Sequence, residues 1–165
     1  MSITYLANSF PTESKPQDCF FSRTTNHFFI MTQLAINLTL LSHPKNIAEV
    51  EPYITQVIKK YEINQELYGN MLITLTEAVS NAIIHGNCAK ASKKVSISTD
   101  CSSKKILFTV QDEGSGFDPD NLPDPTAPEN ILSPGGRGVF LMRQLSDSVT
   151  FCDSGRSVTL EFSLQ

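Results

Sequence analysis

The chain has 165 residues, a length typical of one domain, and 40% of them are hydrophobic, enough to form a core. Its formal net charge of −4 argues against a nucleic-acid-binding protein, because such proteins usually carry a basic excess on one face. No apolar stretch reaches the about 18–20 residues that a membrane-spanning helix needs, and no secretory signal is seen. The sequence therefore predicts a cytoplasmic protein that binds neither nucleic acid nor membrane.

The first half of the chain predicts mainly helices. Residues 1–30 are rich in Ser, Thr, Asn and Pro without an apolar period, which predicts a poorly ordered N-terminal leader or arm. Alternating apolar residues predict a strand over 31–41. Apolar residues at helical spacing predict helices over 45–60 and 64–84.

The second half predicts mainly strands. The expected strands lie at 94–100, 105–111, 148–152 and 157–163. Five prolines predict a flexible loop over 117–134, and a helix is expected at 138–146. Helices gathered early and strands in adjacent pairs indicate an α+β fold, a mostly antiparallel sheet under a layer of helices.

A polar stripe on the second predicted helix is the first candidate site. Glu77, Asn81 and His85 follow one another at intervals of four residues, so they share one face of the helix. Such a stripe can also be the solvated edge of an amphipathic helix. Small residues crowd the same stretch, Gly86 among them, which indicates that something approaches it closely.

An acidic residue and two glycines end the strand predicted at 105–111. Gly114 and Gly116 let the backbone bend sharply beside the Asp112 carboxylate. Alone, this motif is also compatible with an ordinary glycine turn. It is not a dinucleotide-binding fingerprint, because a proline-rich loop follows the glycines where that motif requires a helix.

Glycines also precede the last predicted helix. The run Gly135-Gly136-Arg137-Gly138 stands at its start, and the backbone amides of a helix N-terminus suit a phosphate. A P-loop is excluded, because the chain contains no Gly-Lys-Ser or Gly-Lys-Thr. The alternative is a plain hinge between loop and helix.

Together and in this order, the three features resemble the nucleotide-binding boxes of the Bergerat-fold ATPases, the superfamily of gyrases, histidine kinases and mismatch-repair ATPases. Glu77–Gly86, Asp112–Pro119 and Gly136–Met142 are similar to one family within it, the anti-sigma-factor serine/threonine kinases of bacterial partner switching. The resemblance covers about residues 31–165. It implies a histidine-kinase-like ATPase domain there, a two-layer sandwich whose mixed, mostly antiparallel sheet is covered on one face by helices.

The resemblance also implies roles for individual residues. Asn81 would coordinate Mg²⁺, for which an amide oxygen is a suitable hard ligand, and Glu77 would act as general base. Asp112 would accept a hydrogen bond from the adenine amino group. Gly114 and Gly116 would let the backbone pass close to the base. ATP and Mg²⁺ are thus the expected cofactors.

The last glycine segment is expected to hold the phosphates. Gly136, Arg137 and Gly138 would offer backbone N–H groups, with the Arg137 guanidinium as an added clamp. Residues 117–134 would form a lid over the triphosphate. His85 is expected to be a packed or hydrogen-bonded histidine, without a catalytic role.

The family resemblance implies an ATP-dependent protein serine/threonine kinase that binds a sigma factor as an anti-sigma factor and phosphorylates a small antagonist protein. Glu77 favours this interpretation, since a protein that only binds needs no base. The alternative is a catalytically weak ATP-binding regulatory module that sequesters a partner. A lid without Lys or Arg between Phe117 and Gly136 agrees with weak phosphoryl transfer unless Arg137 serves instead.

An apolar stretch near the N-terminus predicts a homodimer. Leu34–Leu41 is more apolar than an isolated edge strand should leave uncovered. A two-fold pair through this strand and the helix at 45–60 needs only one self-complementary patch. The alternative is a monomer in which residues 1–30 cover the strand.

Overall fold

A computed structural model gives the fold of the chain. It describes residues 35–119, 125 and 136–164. The leader predicted at 1–30 and most of the lid predicted at 117–134 lie outside the described residues, so both stay predictions, as does a domain boundary at residue 30.

Five strands form one sheet in the described part of the chain. They are β1 (Asn37–Leu41), β2 (Lys94–Cys101), β3 (Lys105–Asp112), β4 (Ser148–Cys152) and β5 (Ser157–Ser163). Their order is β1-β2-β3-β5-β4, and every neighbouring pair is antiparallel. The family resemblance implies a mixed, mostly antiparallel sheet, so the described sheet is more uniform than expected. In this order β3 is the central strand, so its last residue lies between the ends of the neighbouring strands β2 and β5.

Among the described residues, three α-helices pack on one face of this sheet. They are α1 (Val50–Tyr61), α2 (Tyr68–Asn81) and α3 (Arg137–Leu145). The strands bury alternate residues under the helices, such as Val95 and Ile97 on β2, because successive side chains of a strand point to opposite faces. No helix of the described residues is long and apolar enough to cross a membrane.

Large apolar side chains fill the space between the two layers. Phe108 on β3 and Phe162 on β5 are buried edge to face, with ring centroids 6.1 Å apart. Ile54 of α1 and Leu75 of α2 are fully buried in the same core. Each such side chain stabilises the fold by about 1.5–3 kcal/mol. The two-layer α+β architecture confirms the predicted fold class.

The predicted elements differ from the structure mainly at their ends. Of the described residues in the strand predicted over 31–41, Ala35 and Ile36 lie before β1, which begins at Asn37. The helix predicted over 45–60 opens with the 3₁₀ turn Pro44–Glu49. The helix predicted over 64–84 continues past α2 as the π turn Ala82–Gly86, which closes with a 2.8 Å bond from the Asn87 amide to the Ala82 carbonyl.

Candidate functional site

A cavity of about 540 Å³ opens between α2, α3 and the ends of β3 and β5. Small-molecule sites typically enclose about 300–1,000 Å³. Every predicted site residue except Gly114 lines it, namely Glu77, Asn81, Asp112, Gly116, Gly136, Arg137 and Gly138. The structure therefore brings the three sequence motifs to one place, while the roles of these residues stay predictions.

One end of the cavity joins α2 to the start of α3. Glu77 and Asn81 lie one turn apart on the same face of α2, and both are half-buried. A Cβ atom added to Gly138 would lie 2.6 Å from Glu77 Oε2 and 3.2 Å from Asn81 Nδ2. Gly138 thus allows the N-terminus of α3 to contact both side chains. We call this the phosphate end of the cavity.

The backbone at the start of α3 suits an anion. Gly136 caps the helix with φ 80°, a left-handed conformation that glycine adopts without strain. The Phe140 amide donates to the Gly136 carbonyl at 3.0 Å, which is the first hydrogen bond within the helix. The amides that precede Phe140 belong to the first turn, and the carbonyls of an α-helix provide no acceptors for the amides of its first turn. The positive end of the helix dipole faces the cavity at the same place.

The other end of the cavity holds Asp112, the last residue of β3, which is only 9% exposed. Its Oδ1 accepts a 2.7 Å hydrogen bond from the Gly114 amide, and its own amide donates to the Arg156 carbonyl. Burial raises the pKa of Asp112 above its ordinary value, although the Gly114 bond and the charges of Lys93 and Arg156 act in the opposite direction. A buried carboxyl in a cavity is typical of a functional site. We call this the base end.

Glycines let two segments meet behind Asp112. A Cβ on Gly114 would lie 2.0 Å from the Gly86 carbonyl oxygen, and a Cβ on Gly86 would lie 2.5 Å from the Asp112 carboxylate. The close approach predicted from the small residues near Gly86 is confirmed, and the approaching segment is Asp112–Gly114. Gly114 supports Asp112 rather than lining the cavity itself.

Aromatic side chains form an apolar wall of the base end. The Phe117 and Phe151 rings meet edge to face, with centroids 5.6 Å apart, and both line the cavity. The Phe117 amide donates to the Ser154 carbonyl at 2.9 Å, which ties the first residue of the predicted lid to the turn between β4 and β5. Such a wall suits the flat face of a nucleobase.

The sequence interpretation missed part of this site. His85 is exposed and lines the cavity, so the expectation that it is packed is wrong, while its lack of a catalytic role stays a prediction. Arg156, ion-paired with Asp153, also lines the cavity and lies outside the three motifs. Only the pairing of β5 with β3, where Ser157 faces Gln111, brings it beside Asp112, and no spacing in the sequence signals that pairing.

These features define a class of protein. A helix N-terminus suits phosphates, a buried carboxylate suits a hydrogen-bonding base, and aromatic rings line the base end of the cavity. The cavity is that of a nucleotide-binding domain.

Comparison with known proteins agrees with this class. A family model described as "Histidine kinase-like ATPase domain" matches residues 40–162. The "Serine-protein kinase RsbW" of Bacillus licheniformis is 27% identical over 124 residues, covering 71% of this chain and 78% of the relative. The "Anti-sigma F factor" of Bacillus velezensis is 29% identical over 126 residues, covering 74% and 84%. That of Bacillus thuringiensis is 30% identical over 121 residues, covering 71% and 80%.

The chain belongs to the histidine kinase-like ATPase domain family and, within it, to the anti-sigma-factor kinases. An ATPase domain implies that the cavity binds ATP. The cavity fits this ligand, because the first turn of α3 lines one end of it and the buried Asp112 carboxyl lines the other. The side-chain oxygen of Asn81 is a hard donor of the kind that Mg²⁺ prefers.

Proposed function

We propose that this chain is a cytoplasmic ATP-dependent protein serine/threonine kinase that binds a sigma factor as an anti-sigma factor and phosphorylates a small antagonist protein. The observation that carries the proposal is the Glu77 carboxylate, which lies against Gly138 in the cavity that also holds Asn81. A protein that only sequesters a partner needs no base there. The names of the relatives, serine-protein kinase and anti-sigma F factor, support both parts of the proposal.

The two ends of the cavity would divide the nucleotide between them. Asp112 would accept a hydrogen bond from the adenine amino group, with Phe117 and Phe151 beside the base. The first turn of α3, including Gly138, would donate backbone amides to the phosphates. Asn81 would hold Mg²⁺, which neutralises charge on the triphosphate when bound.

Glu77 would then take part in the transfer itself. The substrate serine approaches with its hydroxyl in reach of the carboxylate, which accepts the proton. The serine oxygen forms a bond to the γ-phosphorus while the bond from that phosphorus to the β,γ-bridging oxygen breaks. Phosphoserine and ADP are the products, and the proton leaves from Glu77 to solvent.

Incubation with radiolabelled ATP, Mg²⁺ and a candidate antagonist protein tests the proposal. We expect label on serine of the antagonist, and none when Mg²⁺ is chelated. ATP binding by calorimetry without any label on the antagonist would contradict the kinase and favour the alternative, a regulatory module that binds ATP and sequesters a partner. Co-purification of a sigma factor tests the second part independently.

The homodimer is also a proposal. β1 lies at the edge of the sheet, and Leu41 on this strand is 51% exposed. A second copy pairing through β1 and α1 would cover that edge. Light scattering at micromolar concentration should give the mass of two 18.2 kDa chains. A monomer that ATP does not change would contradict the dimer.

A further inference from the structure

Asn87 is a buried polar residue that no motif of the sequence includes. It follows the π turn Ala82–Gly86 and has no exposed surface. Its Nδ2 donates to Ser42 Oγ at 2.7 Å and to the Lys94 carbonyl at 2.8 Å. Its Oδ1 accepts from the Glu113 amide at 2.9 Å. One side chain thus joins the ends of β1, β2 and β3 to the end of α2.

The bond to Glu113 bears directly on Asp112. The Glu113 N–H belongs to the peptide group that follows Asp112, and because a peptide group is planar, holding its N–H also holds the Asp112 carbonyl. The Arg156 carbonyl holds the amide on the other side of Asp112, and the Gly114 amide holds its carboxylate. Asp112 is therefore held from three directions, and the Asn87 side chain ties it to the helix layer.

The backbone next to Asn87 is strained. Cys88 and Ala89 both have left-handed conformations, with φ of 54° and 52°. Such conformations in residues other than glycine persist where the surroundings fix them. The three hydrogen bonds of Asn87, together with a 2.7 Å bond from the Ala89 amide to the Ile83 carbonyl, fix this reversal of the chain.

We propose that Asn87 is a positioning residue that orients the Asp112 carboxylate toward the amino group of adenine and so sets the preference of the cavity for adenine. Asn87 does not line the cavity and cannot touch the nucleotide, so it acts through Asp112. This inference rests on the adenine contact in the proposed function. A residue that only stabilised the fold would affect all nucleotides equally.

The test compares ATP with purine riboside triphosphate, which is ATP without the 6-amino group, by calorimetry on the full chain. The wild type should prefer ATP by about tenfold or more, the effect of one hydrogen bond to a charged group. In Asn87→Ala we expect this ratio to fall to about threefold or less. Ser42→Ala is the matched control, since it removes a bond to the same Asn87 amide group but leaves the bond to Glu113 intact; its ratio should match the wild type.

The outcomes separate this inference from the proposed function. A wild type without preference for ATP contradicts the adenine contact of Asp112, and the role of Asn87 with it. A wild-type preference that Asn87→Ala retains overturns the positioning role alone. If Asn87→Ala does not fold, Asn87→Ser serves as the second variant, because its shorter side chain also fails to reach the Glu113 amide. A retained ratio in that variant would equally overturn the inference.

Discussion

The two ends of the cavity are held in different ways. At the base end, Asp112 is almost fully buried, and hydrogen bonds from Gly114 and to Arg156 fix it within the sheet edge. At the phosphate end, Glu77 and Asn81 are half-buried on α2 and contact the start of a second helix. At the base end, backbone hydrogen bonds fix the position of Asp112. At the phosphate end, the close contact of two helices at Gly138 fixes the positions of Glu77 and Asn81.

This difference suits the two tasks of the site. A rigid carboxylate can select one base by a single directed hydrogen bond. The half-buried side chains at the phosphate end keep room to adjust to a triphosphate, a metal ion and an incoming hydroxyl. Substitutions at the phosphate end should therefore change turnover, whereas substitutions at the base end should change affinity and selectivity.

The largest effect is expected at Glu77. Glu77→Gln keeps the shape and removes the base, so phosphoryl transfer should fall by about 10²–10⁴-fold. The affinity for ATP should stay within about twofold, because the carboxylate acts on the serine and not on the nucleotide. Transfer of label to the antagonist and calorimetry measure the two quantities.

Glu51→Gln is the matched control for this variant. Glu51 lies on α1, is exposed and does not line the cavity. The Glu51→Gln substitution should leave both phosphoryl transfer and the affinity for ATP unchanged. Wild-type turnover in Glu77→Gln would show that the phosphate end works without this base and would remove the contrast between the two ends.

The next largest effect is expected at the base end. Asp112→Asn keeps an oxygen for the Gly114 amide but removes the charge that adenine meets, so ATP binding should weaken by about 1.5–3 kcal/mol. Turnover at saturating ATP should change much less. Asp100→Asn, on the exposed side of β2, provides the control. Calorimetry that finds equal affinity in Asp112→Asn and wild type would place the base elsewhere.

Two glycine-to-alanine substitutions distinguish a disturbance of the site from a change in helix stability. Gly138→Ala puts a Cβ 2.6 Å from Glu77 Oε2, so the Glu77 side chain must move, and transfer should fall by about tenfold. Gly69→Ala on α2 meets nothing within 4 Å and should leave transfer unchanged. Alanine in place of a helical glycine should raise the free energy of unfolding by about 0.5–1 kcal/mol at Gly69. Equal transfer rates in both variants would contradict the close contact of α3 with Glu77.

Much of this fold can be predicted from local patterns. Alternation predicts a strand over 105–111, and β3 spans Lys105–Asp112, because alternate apolar residues must face the helices. Local patterns do not predict the π turn Ala82–Gly86. The turn is followed by Asn87, whose side-chain bonds reach residues far away in the sequence.

The residues of the site also fall into those that local sequence patterns predict and those that they do not. Glu77 and Asp112 stand in contiguous motifs, so the sequence alone identifies them as candidates, and the structure brings them to one cavity. Arg156 and Phe151 reach the cavity only through the pairing of strands, and Asn87 supports it from within the core. Residues that act through tertiary pairing leave no local pattern to recognise.

The smallest expected effect concerns how the base end responds to pH. Burial raises the pKa of Asp112 above its ordinary value of 3.8, so the folded chain binds this proton more tightly than the unfolded chain. The contribution of Asp112 to stability is therefore fully present below its unfolded pKa and is lost as the pH rises through its folded pKa. Asparagine does not titrate, so the free energy of unfolding of Asp112→Asn relative to wild type should increase between about pH 4 and pH 7. Urea unfolding of the nucleotide-free proteins at both pH values measures this, with Asp100→Asn as the control. If the difference in the free energy of unfolding stays constant or decreases toward pH 7, burial does not destabilise the charged form of Asp112. The two ends of the cavity would then differ only in their contacts.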